Sequence, residues 1–388
     1  MEHFDIVVCG GGIAGAAAAL AASRRGKRVL LAEKQAVLGG LATSGLIYIY
    51  LPVSDEKDRL IASGITRELL DRCQDYGPFT LSEKWSGIPG SDCGHPGSRC
   101  LCCFSPAGYE LTLEKMLREA AVELRLETTV ISTRCDGNDR LSEIELFCGS
   151  EREKVSADCF IDATGGAYLL RMAGARIFPG SNYVSPWFME INDRSQSRYY
   201  LTKDVHIQVV RDQTDAGRFP EALTAQEMQN FLKRQYEVIR SYYDALPEER
   251  RKICYPLHLP GMAQLRTIAR IAGKKEICDG FAGVHVPDSV GVAADWRQLA
   301  PSWETPYGAL VPEKIRGALA AGRCINTSGE AWEIFRVIPA AAMTGEAAGT
   351  AAALAVSKGI DPANLDVKEL QSELVKNDVI LHIADARG

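Results

Sequence analysis

The N-terminal part of the chain changes from a strand-like pattern to a helical one and back. Residues 4–9 (FDIVVC) predict a short buried strand, residues 10–12 are three glycines that predict a tight turn, and residues 13–25 predict a helix of small residues. Residues 28–33 (RVLLAE) predict a second buried strand. A strand, a turn, a helix and a strand within about thirty residues make up a βαβ unit, so we expect a parallel sheet here.

Further along the chain, helical and strand-like patterns alternate. Apolar spacing typical of helices occurs at residues 111–124, 225–243 and 339–357. Strand-like runs occur at residues 128–134, 141–147 and 155–163, and a last strand region at residues 317–326. We therefore predict an α/β fold, in which a Rossmann-like domain with a parallel sheet and a β-meander crossover is accompanied by a second, α+β domain.

Composition and charge exclude several classes of protein. The 388 residues include 44 Lys and Arg against 50 Asp and Glu, and a net charge of −6 argues against non-specific nucleic-acid binding. The 12 cysteines are too few for a small disulfide scaffold. The uncharged run at residues 6–22 follows acidic rather than basic residues and contains three consecutive glycines, so we interpret it as buried. We expect a cytoplasmic protein without a membrane segment.

The turn between the first strand and the first helix carries a glycine motif, Gly10-x-Gly12-x-x-Gly15, and Glu33 ends the second strand. In this context each glycine has a task. Gly10 allows the turn, Gly12 lets the backbone approach a pyrophosphate, and Gly15 lets the helix pack on the sheet. The helix N-terminus offers N–H groups to phosphate oxygens, and Glu33 would accept hydrogen bonds from a ribose. The motif predicts a dinucleotide without choosing between NAD and FAD.

Two later glycine-rich turns favour FAD. Gly39 and Gly40 lie in the run LGGLATSG, and residues 161–166 (IDATGG) follow a predicted strand. Such turns let the backbone pass close to an extended ligand. Together and in this order, the three motifs resemble those of FAD-dependent oxidoreductases with the glutathione-reductase-type Rossmann fold and a single dinucleotide-binding domain.

The resemblance continues to the C-terminal part of the chain. GRCI (322–325), RVIP (336–339) and MTGEAAGTAAA (343–353) look like the closing flavin-binding segment of that family. In the family, the last helix points its positive N-terminal end at the flavin pyrimidine ring. One feature departs from the family pattern, because Val37 and Leu38 replace the usual basic residue before the Gly pair. This departure leaves one phosphate contact without its usual partner.

The resemblance implies FAD as the cofactor and a set of residues that contact it. These are Gly10, Gly12, Ile13, Ala14, Gly15, Glu33, Lys34, Gly39, Gly40, Leu41, Ala42, Thr43, Ala163, Thr164, Gly165, Ile338 and Ala340. It also implies interleaved domains. We predict a discontinuous FAD-binding domain at residues 1–51, 106–175 and 310–388, and a substrate or cap domain at residues 52–105 and 176–309.

Three basic residues are candidates for catalysis. Arg336 precedes the final helix, so we expect it near the flavin, where it could bind a substrate anion or stabilise the flavin. Arg266 and Arg270 are spaced to share a helix face, and Arg266 could bind an acidic group or join the two domains. His258 is the histidine that we select as a candidate base, although a lone histidine more often has a structural role.

A cysteine cluster is the other unusual feature. Cys93, Cys100, Cys102 and Cys103 lie close together around CGHPGSRCLCC and could bind zinc or an iron–sulfur centre. The spacing is poor, because two adjacent cysteines do not easily bind one metal ion. We therefore predict no metal site and interpret the cluster as a cysteine-rich loop of the second domain, with a metal site and a reactive thiol left open as alternatives. Cys73, the next cysteine after the Gly pair, has no near partner in the sequence, which disfavours a disulfide reductase.

The sequence predicts an FAD-dependent oxidoreductase that transfers a hydride between a small polar or anionic organic substrate and flavin N5. Because no second GxGxxG motif is present, we expect reoxidation or reduction by a separate electron acceptor or donor. Two alternatives stay open: a redox-neutral flavoprotein such as an isomerase or hydratase, and an electron-transfer flavoprotein subunit. The substrate and the oligomeric state do not follow from the sequence.

Overall fold

The computed structural model describes residues 1–77, 102–192, 205–212, 219–220 and 224–386. Its strands are β1 (Glu2–Cys9), β2 (Val29–Ala32), β3 (Ile49–Tyr50), β4 (Cys102–Cys103), β5 (Glu123–Arg125), β6 (Thr128–Cys135), β7 (Leu141–Cys148), β8 (Glu151–Asp162), β9 (Ile177–Pro179), β10 (Ser181–Asn182), β11 (Trp187–Ile191), β12 (Val205–Val209), β13 (Phe219–Pro220), β14 (Tyr255–His258), β15 (Ala269–Ile271), β16 (Ser289–Ala293), β17 (Trp303–Pro306) and β18 (Ala318–Ala320).

The described residues also form α-helices, which alternate with strands along the chain and end it on its C-terminal side. They are α1 (Ile13–Ser23), α2 (Gly64–Arg72), α3 (Pro106–Glu119), α4 (Tyr168–Met172), α5 (Ala225–Asp244), α6 (Glu248–Arg251), α7 (Glu330–Phe335), α8 (Ile338–Lys358) and α9 (Val367–Lys376). Short 3-10 helices occur at Gly40–Ala42, Asp279–Phe281, Tyr307–Ala309, Gly322–Cys324, Pro362–Asn364 and Ile383–Asp385.

The main sheet has the strand order β5-β2-β1-β8-β7-β6, and β18 also pairs with β8. Strands β5, β2, β1, β8 and β18 are parallel, whereas β6, β7 and β8 form an antiparallel meander. Strand β8 is long enough to pair with β7 and β18 at different positions, since β7 pairs with residues 151–156 and β18 with residues 160–162. These pairings confirm the predicted Rossmann-like sheet and its meander.

Helices α1 and α8 pack against each other through small residues. A Cβ atom at Gly345 would overlap the carbonyl oxygen of Ala14, and one at Gly349 would overlap that of Ala18. Both glycines are buried, and their spacing of one helical turn places them on the same face of α8. The close approach places the first turns of α1 against the middle of α8.

The remaining strands form small antiparallel sheets. The largest of these has the order β12-β11-β14, and α5 packs nearby through Tyr242 and Tyr243 against Phe188 of β11. Residues 266–270 do not form the helix that the spacing of Arg266 and Arg270 suggested. Arg270 lies instead in β15, which pairs with β9, so the two arginines do not share a helix face. The short run at residues 266–270 is compatible with a helix or a strand, and the pairing of β15 with β9 favours the strand.

One hydrophobic core joins the main sheet to parts of the chain that we predicted to form the cap. Leu69, Phe104, Val290 and Trp303 pack in the same cluster as Ile6 of β1. The domain boundaries proposed above stay a prediction. Within the described residues, no helix is both long enough and apolar enough to cross a membrane.

Candidate functional site

The turn after β1 is shaped by close backbone packing. Gly10 has a φ of 103°, and a Cβ atom there would overlap the carbonyl group of Ala163, which follows β8. A Cβ atom at Gly15 would overlap the carbonyl oxygen of Gly10. Both positions therefore require glycine for the fold itself, because they let the turn, α1 and the segment after β8 meet.

Gly12 differs from these two glycines. Its φ of −67° is accessible to any residue, and a Cβ atom there would have no heavy atom within 4 Å. The first N–H groups of an α-helix have no partner within the helix, and Gly12, the N-cap of α1, has no side chain that could accept from them. The fold does not need a glycine at this position, but a ligand that approaches the backbone would.

Glu33 provides a buried carboxylate beside this turn. Its exposed fraction is 7%, and its two oxygens accept hydrogen bonds from the backbone N–H groups of Gly11, at 2.6 Å, and Gln35, at 2.9 Å. Because a carboxylate has about four acceptor positions, further hydrogen bonds to a ligand remain open. The backbone thus orients the carboxylate without neutralising its charge.

The Gly pair lies against the same turn. Gly39 has a φ of 94° and donates its N–H to the carbonyl oxygen of Gly11 at 2.8 Å. Gly40 begins a 3-10 helix, also with a positive φ, and a Cβ atom there would lie 3.4 Å from the Cα atom of Gly12. The first two glycine-rich turns, at residues 10–12 and 39–40, therefore meet in space.

A cleft with a volume of about 880 Å³ opens at the carboxyl ends of β1, β2 and β8. This size lies within the range of about 300–1,000 Å³ that is usual for ligand pockets. The sequence-predicted cofactor residues that line it are Gly10, Gly12, Ile13, Ala14, Glu33, Lys34, Gly39, Gly40, Leu41, Ala42, Ala163, Thr164, Gly165 and Ile338. Gly15, Thr43 and Ala340 lie behind this lining and are buried.

The third glycine-rich turn is held by Asp162, at the end of β8. Its carboxylate accepts hydrogen bonds from the N–H and hydroxyl groups of Thr164, at 3.0 and 2.7 Å, and from the N–H of Leu170, at 2.9 Å. Burial raises the pKa of the Asp162 carboxyl group, which these hydrogen bonds partly oppose. Asp162 is fully buried and acts by fixing the turn that carries Gly165.

Arg323 is a cleft residue to which the sequence analysis gave no role. Its guanidinium donates to the carbonyl oxygens of Gly165, at 2.8 Å, and Leu265, at 3.0 Å. Burial lowers the pKa of Arg323 to about 10. No carboxylate in the described residues forms an ion pair with it. The only signal in the sequence was an arginine inside the closing GRCI motif.

Arg336 also lines the cleft, immediately before α8. Its Nε and Nη2 atoms donate to Glu333, and its guanidinium lies 5.4 Å from the ring of Trp296. The Nη1 atom makes no hydrogen bond to any residue that the structure describes. One donor of this arginine thus stays available in the cleft.

The other two catalytic candidates lie outside the lining. Arg266 is 7% exposed and donates to the carbonyl oxygens of Gln264, at 2.7 Å, and Ser185, at 2.9 Å. Burial and the nearby charge of Arg336 lower the pKa of Arg266 to about 10. His258 occupies an exposed position at the end of β14. Neither side chain lines the cleft, although Arg266 lies close enough to Arg336 for the two charges to repel each other.

Of the four cysteines that were weak candidates for a metal site, Cys102 and Cys103 lie in the described residues and pack in different clusters. Cys102 packs in the main core with its Sγ atom 3.8 Å from that of Cys73, whereas Cys103 belongs to a small cluster with Ile49. Cys93 and Cys100 lie outside the described residues. The near partner that Cys73 lacks in sequence is therefore supplied by the fold, because β4 lies beside α2.

The sequence matches the model of a protein family described as FAD dependent oxidoreductase, over residues 5–285 and 282–374. The chain belongs to this family of FAD-dependent oxidoreductases. It is accordingly a flavoprotein enzyme with FAD as its cofactor. Among curated proteins the sequence has no significant match.

Solved structures agree with the fold of this oxidoreductase. One is a geranylgeranyl bacteriochlorophyll reductase-like protein from Thermoplasma acidophilum, at 14% identity and a TM-score of 0.51, covering 97% of this chain and 83% of that one. Another is p-nitrophenol 4-monooxygenase from Pseudomonas putida, at 13% identity and a TM-score of 0.52, covering 97% and 84%. At such low identity the likeness shows the fold alone.

Proposed function

We propose that the cleft binds FAD and that the enzyme transfers a hydride between a small anionic organic substrate and the flavin. When bound, FAD would supply the two-electron acceptor or donor at its ring system. The observation that carries this proposal is Gly12, an N-cap glycine that neither φ nor packing requires, next to a buried carboxylate. Both features suit a dinucleotide with a pyrophosphate and a ribose.

The residues around Gly12 would hold the nucleotide part of the cofactor. The free N–H groups at the start of α1 suit the pyrophosphate, and Glu33 suits the hydroxyl groups of the ribose. Arg323 supports the same assignment, because its charge can replace the basic residue that is missing before the Gly pair. Its neighbour Gly322 lies close to α1, since a Cβ atom at Gly322 would be 2.9 Å from that of Ala14.

Arg336 supports the choice of an anionic substrate. It offers a free donor in the cleft, and its place before α8 adds the positive end of a helix to its own charge. We infer that Arg336 binds the carboxylate or a similar group of the substrate and so orients the reacting C–H bond. In this proposal neither His258 nor Arg266 contacts the substrate.

A separate electron donor or acceptor would complete the catalytic cycle. The sequence has one GxGxxG motif, which the proposed FAD site uses, and the cleft described here is formed around that motif. A nicotinamide dinucleotide would therefore lack a binding domain of its own, and the organic substrate is the direct partner of the flavin.

Anaerobic reduction of the FAD-loaded enzyme tests this function. A panel of hydroxy, amino and saturated carboxylates is mixed with the enzyme, each beside its neutral amide, and the flavin absorbance is recorded. We expect a carboxylate to bleach the flavin at a concentration at which its amide does not. If no donor in the panel bleaches the flavin while NADH does, the proposal of a direct organic substrate is wrong.

The assignment of Arg336 has its own variant. Arg336→Met should raise the concentration of carboxylate needed for half-maximal bleaching by at least about tenfold, because a hydrogen bond between charged groups contributes about 1.5–3 kcal/mol. Arg171→Met is the matched control, since Arg171 also lines the cleft but is exposed. Equal effects in both variants would contradict a specific anion contact at Arg336.

A further inference from the structure

A second group of polar side chains lies away from the cleft. Glu304 of β17 is 2% exposed, and the imidazole Nδ1 atoms of His382 and His285 lie 2.9 and 3.4 Å from its Oε2 atom. The three ligand atoms lie within 4.8 Å of one another. None of these residues lines the cleft. A nearby loop and the C-terminal segment of the chain therefore both bring a histidine to one buried carboxylate.

The backbone holds this carboxylate in a fixed orientation. The N–H of Val286 donates to Oε2 at 2.7 Å, and the N–H of Ile383 donates to Oε1 at 2.9 Å. Each donor is the neighbour in sequence of one of the two histidines. The same short segments thus fix both the carboxylate and the imidazoles, which is the kind of support that metal ligands usually have.

We propose that His285, Glu304 and His382 form a binding site for a divalent zinc ion. Two imidazole nitrogens and one carboxylate oxygen are a common protein ligand set for Zn²⁺, with a water molecule as the fourth ligand of a tetrahedral site. The side chain of His285 is 65% exposed, so water has access to that position. The donor set contains no thiolate and only one carboxylate, which disfavours copper(I) and calcium.

The ion would join the C-terminal segment to the β16–β17 hairpin. This segment already rests there through Leu381, whose carbonyl oxygen accepts from the Ser289 hydroxyl at 2.6 Å, and through Ile380, which packs with Val292. A metal ion bound by His382 and Glu304 would add a bond between the same two parts of the chain. The site would therefore stabilise the position of residues 379–386 and is independent of flavin chemistry.

Metal titration of the FAD-loaded enzyme tests the proposal. After treatment with a chelator, Zn²⁺ is added in a calorimeter, and Co²⁺ is used in parallel as a visible-light probe of coordination. We expect one Zn²⁺ per chain and an intense Co²⁺ spectrum typical of tetrahedral coordination. His382→Gln and His285→Gln should each weaken Zn²⁺ binding at least tenfold, whereas His3→Gln, at an exposed histidine elsewhere, should leave it unchanged.

A second measurement follows the C-terminal segment directly. Zn²⁺ should slow hydrogen exchange at residues 379–386 in the unchanged enzyme and have no such effect in Glu304→Gln, whose fold is checked by its FAD content. Absence of stoichiometric Zn²⁺ binding would overturn the proposal. The same holds if His3→Gln and His382→Gln weaken binding equally, because the ion would then bind to surface histidines in general.

Discussion

The cleft contains charges of both signs, and their partners come from different distances along the chain. Glu33 accepts from Gly11 and Gln35, which belong to its own βαβ unit. Arg323 donates to Gly165 and Leu265, which lie in two other segments. No ion pair with either group occurs in the described ranges of the chain. Backbone groups orient both charges, and neither charge is neutralised by another side chain.

In the proposed FAD site, this arrangement would let the cleft distinguish the parts of the dinucleotide. A charge in a largely enclosed place is unfavourable unless a partner compensates for it. Backbone N–H and carbonyl groups compensate only in part, so in the proposed FAD site a ligand would complete the solvation of each side chain. Glu33 is suited to hydroxyl donors, and Arg323 is suited to phosphate oxygens.

Glu346 of α8 provides a contrast to Glu33, because it is a buried acid outside the cleft. It is 2% exposed and accepts from the N–H of Ile65 at 2.8 Å, and burial raises its pKa to about 8. The folded-state pKa lies above the ordinary value of 4.5, so the folded state prefers the protonated acid. We expect the free energy of unfolding to fall by about 3–5 kcal/mol as the pH rises from 5 to 9.

Urea unfolding of the apoprotein at several pH values measures this effect. Glu346→Gln keeps the shape of the protonated acid and should remove most of the decline. The control Glu114→Gln changes a half-exposed acid on α3 and should keep the decline. If the free energy of unfolding declines as steeply in Glu346→Gln as in the unchanged chain, Glu346 is already ionised in the folded protein. A few backbone contacts would then be enough to keep a buried acid ionised, and Glu346 would no longer serve as a contrast to Glu33.

Arg323→Met tests the cationic part of the cleft. Methionine keeps the length of the apolar stem and removes the charge. We expect FAD affinity to fall by about 3 kcal/mol, at the upper end for hydrogen bonds between charged groups. FMN, which has one phosphate group, should also bind more weakly, whereas riboflavin, which has none, should be affected least. Fluorescence titration of the apoprotein with the three flavins gives the dissociation constants.

The contrast among the three flavins is the decisive part of that experiment. Arg171→Met, at the exposed arginine of the cleft, should change none of the three affinities by more than about twofold. An equal loss for riboflavin and FAD in Arg323→Met would mean that Arg323 acts through Gly165 and Leu265 on the shape of the cleft, without contacting a phosphate.

Glu33→Gln tests the anionic part in the same assay. The amide can still accept hydrogen bonds but carries no charge, so FAD affinity should fall by about 1.5 kcal/mol, at the lower end for hydrogen bonds to charged groups. FMN has no adenosine ribose, and its affinity should not change. A similar loss for FMN and FAD would contradict the ribose contact and would indicate a disturbed Gly11 turn instead.

The sequence predicted the local parts of this site and missed the long-range ones. Glu33 and the turn at Gly12 follow from the βαβ pattern, because their partners lie within that unit. Arg323 could not be placed, since its partners Gly165 and Leu265 are brought together only by the pairing of β18 with β8 and the packing of distant loops. Arg270 shows the same limit, because its spacing from Arg266 indicated a helix and pairing with β9 made a strand.

Gly12→Ala gives the smallest expected effect and tests the turn between these charges. Apart from its own neighbours in the chain, the new methyl group would meet no protein heavy atom within 4 Å, so the stability of the apoprotein should change little. FAD affinity should fall by about 1 kcal/mol, because the methyl group occupies space that the pyrophosphate needs.

The control Gly15→Ala should do the reverse and lower the free energy of unfolding of the apoprotein by about 1–3 kcal/mol, since its Cβ atom would overlap the carbonyl oxygen of Gly10. Thermal unfolding and FAD titration of both variants separate the two outcomes. A Gly12→Ala protein that binds FAD normally would show that the open space at the start of α1 is not where the cofactor lies.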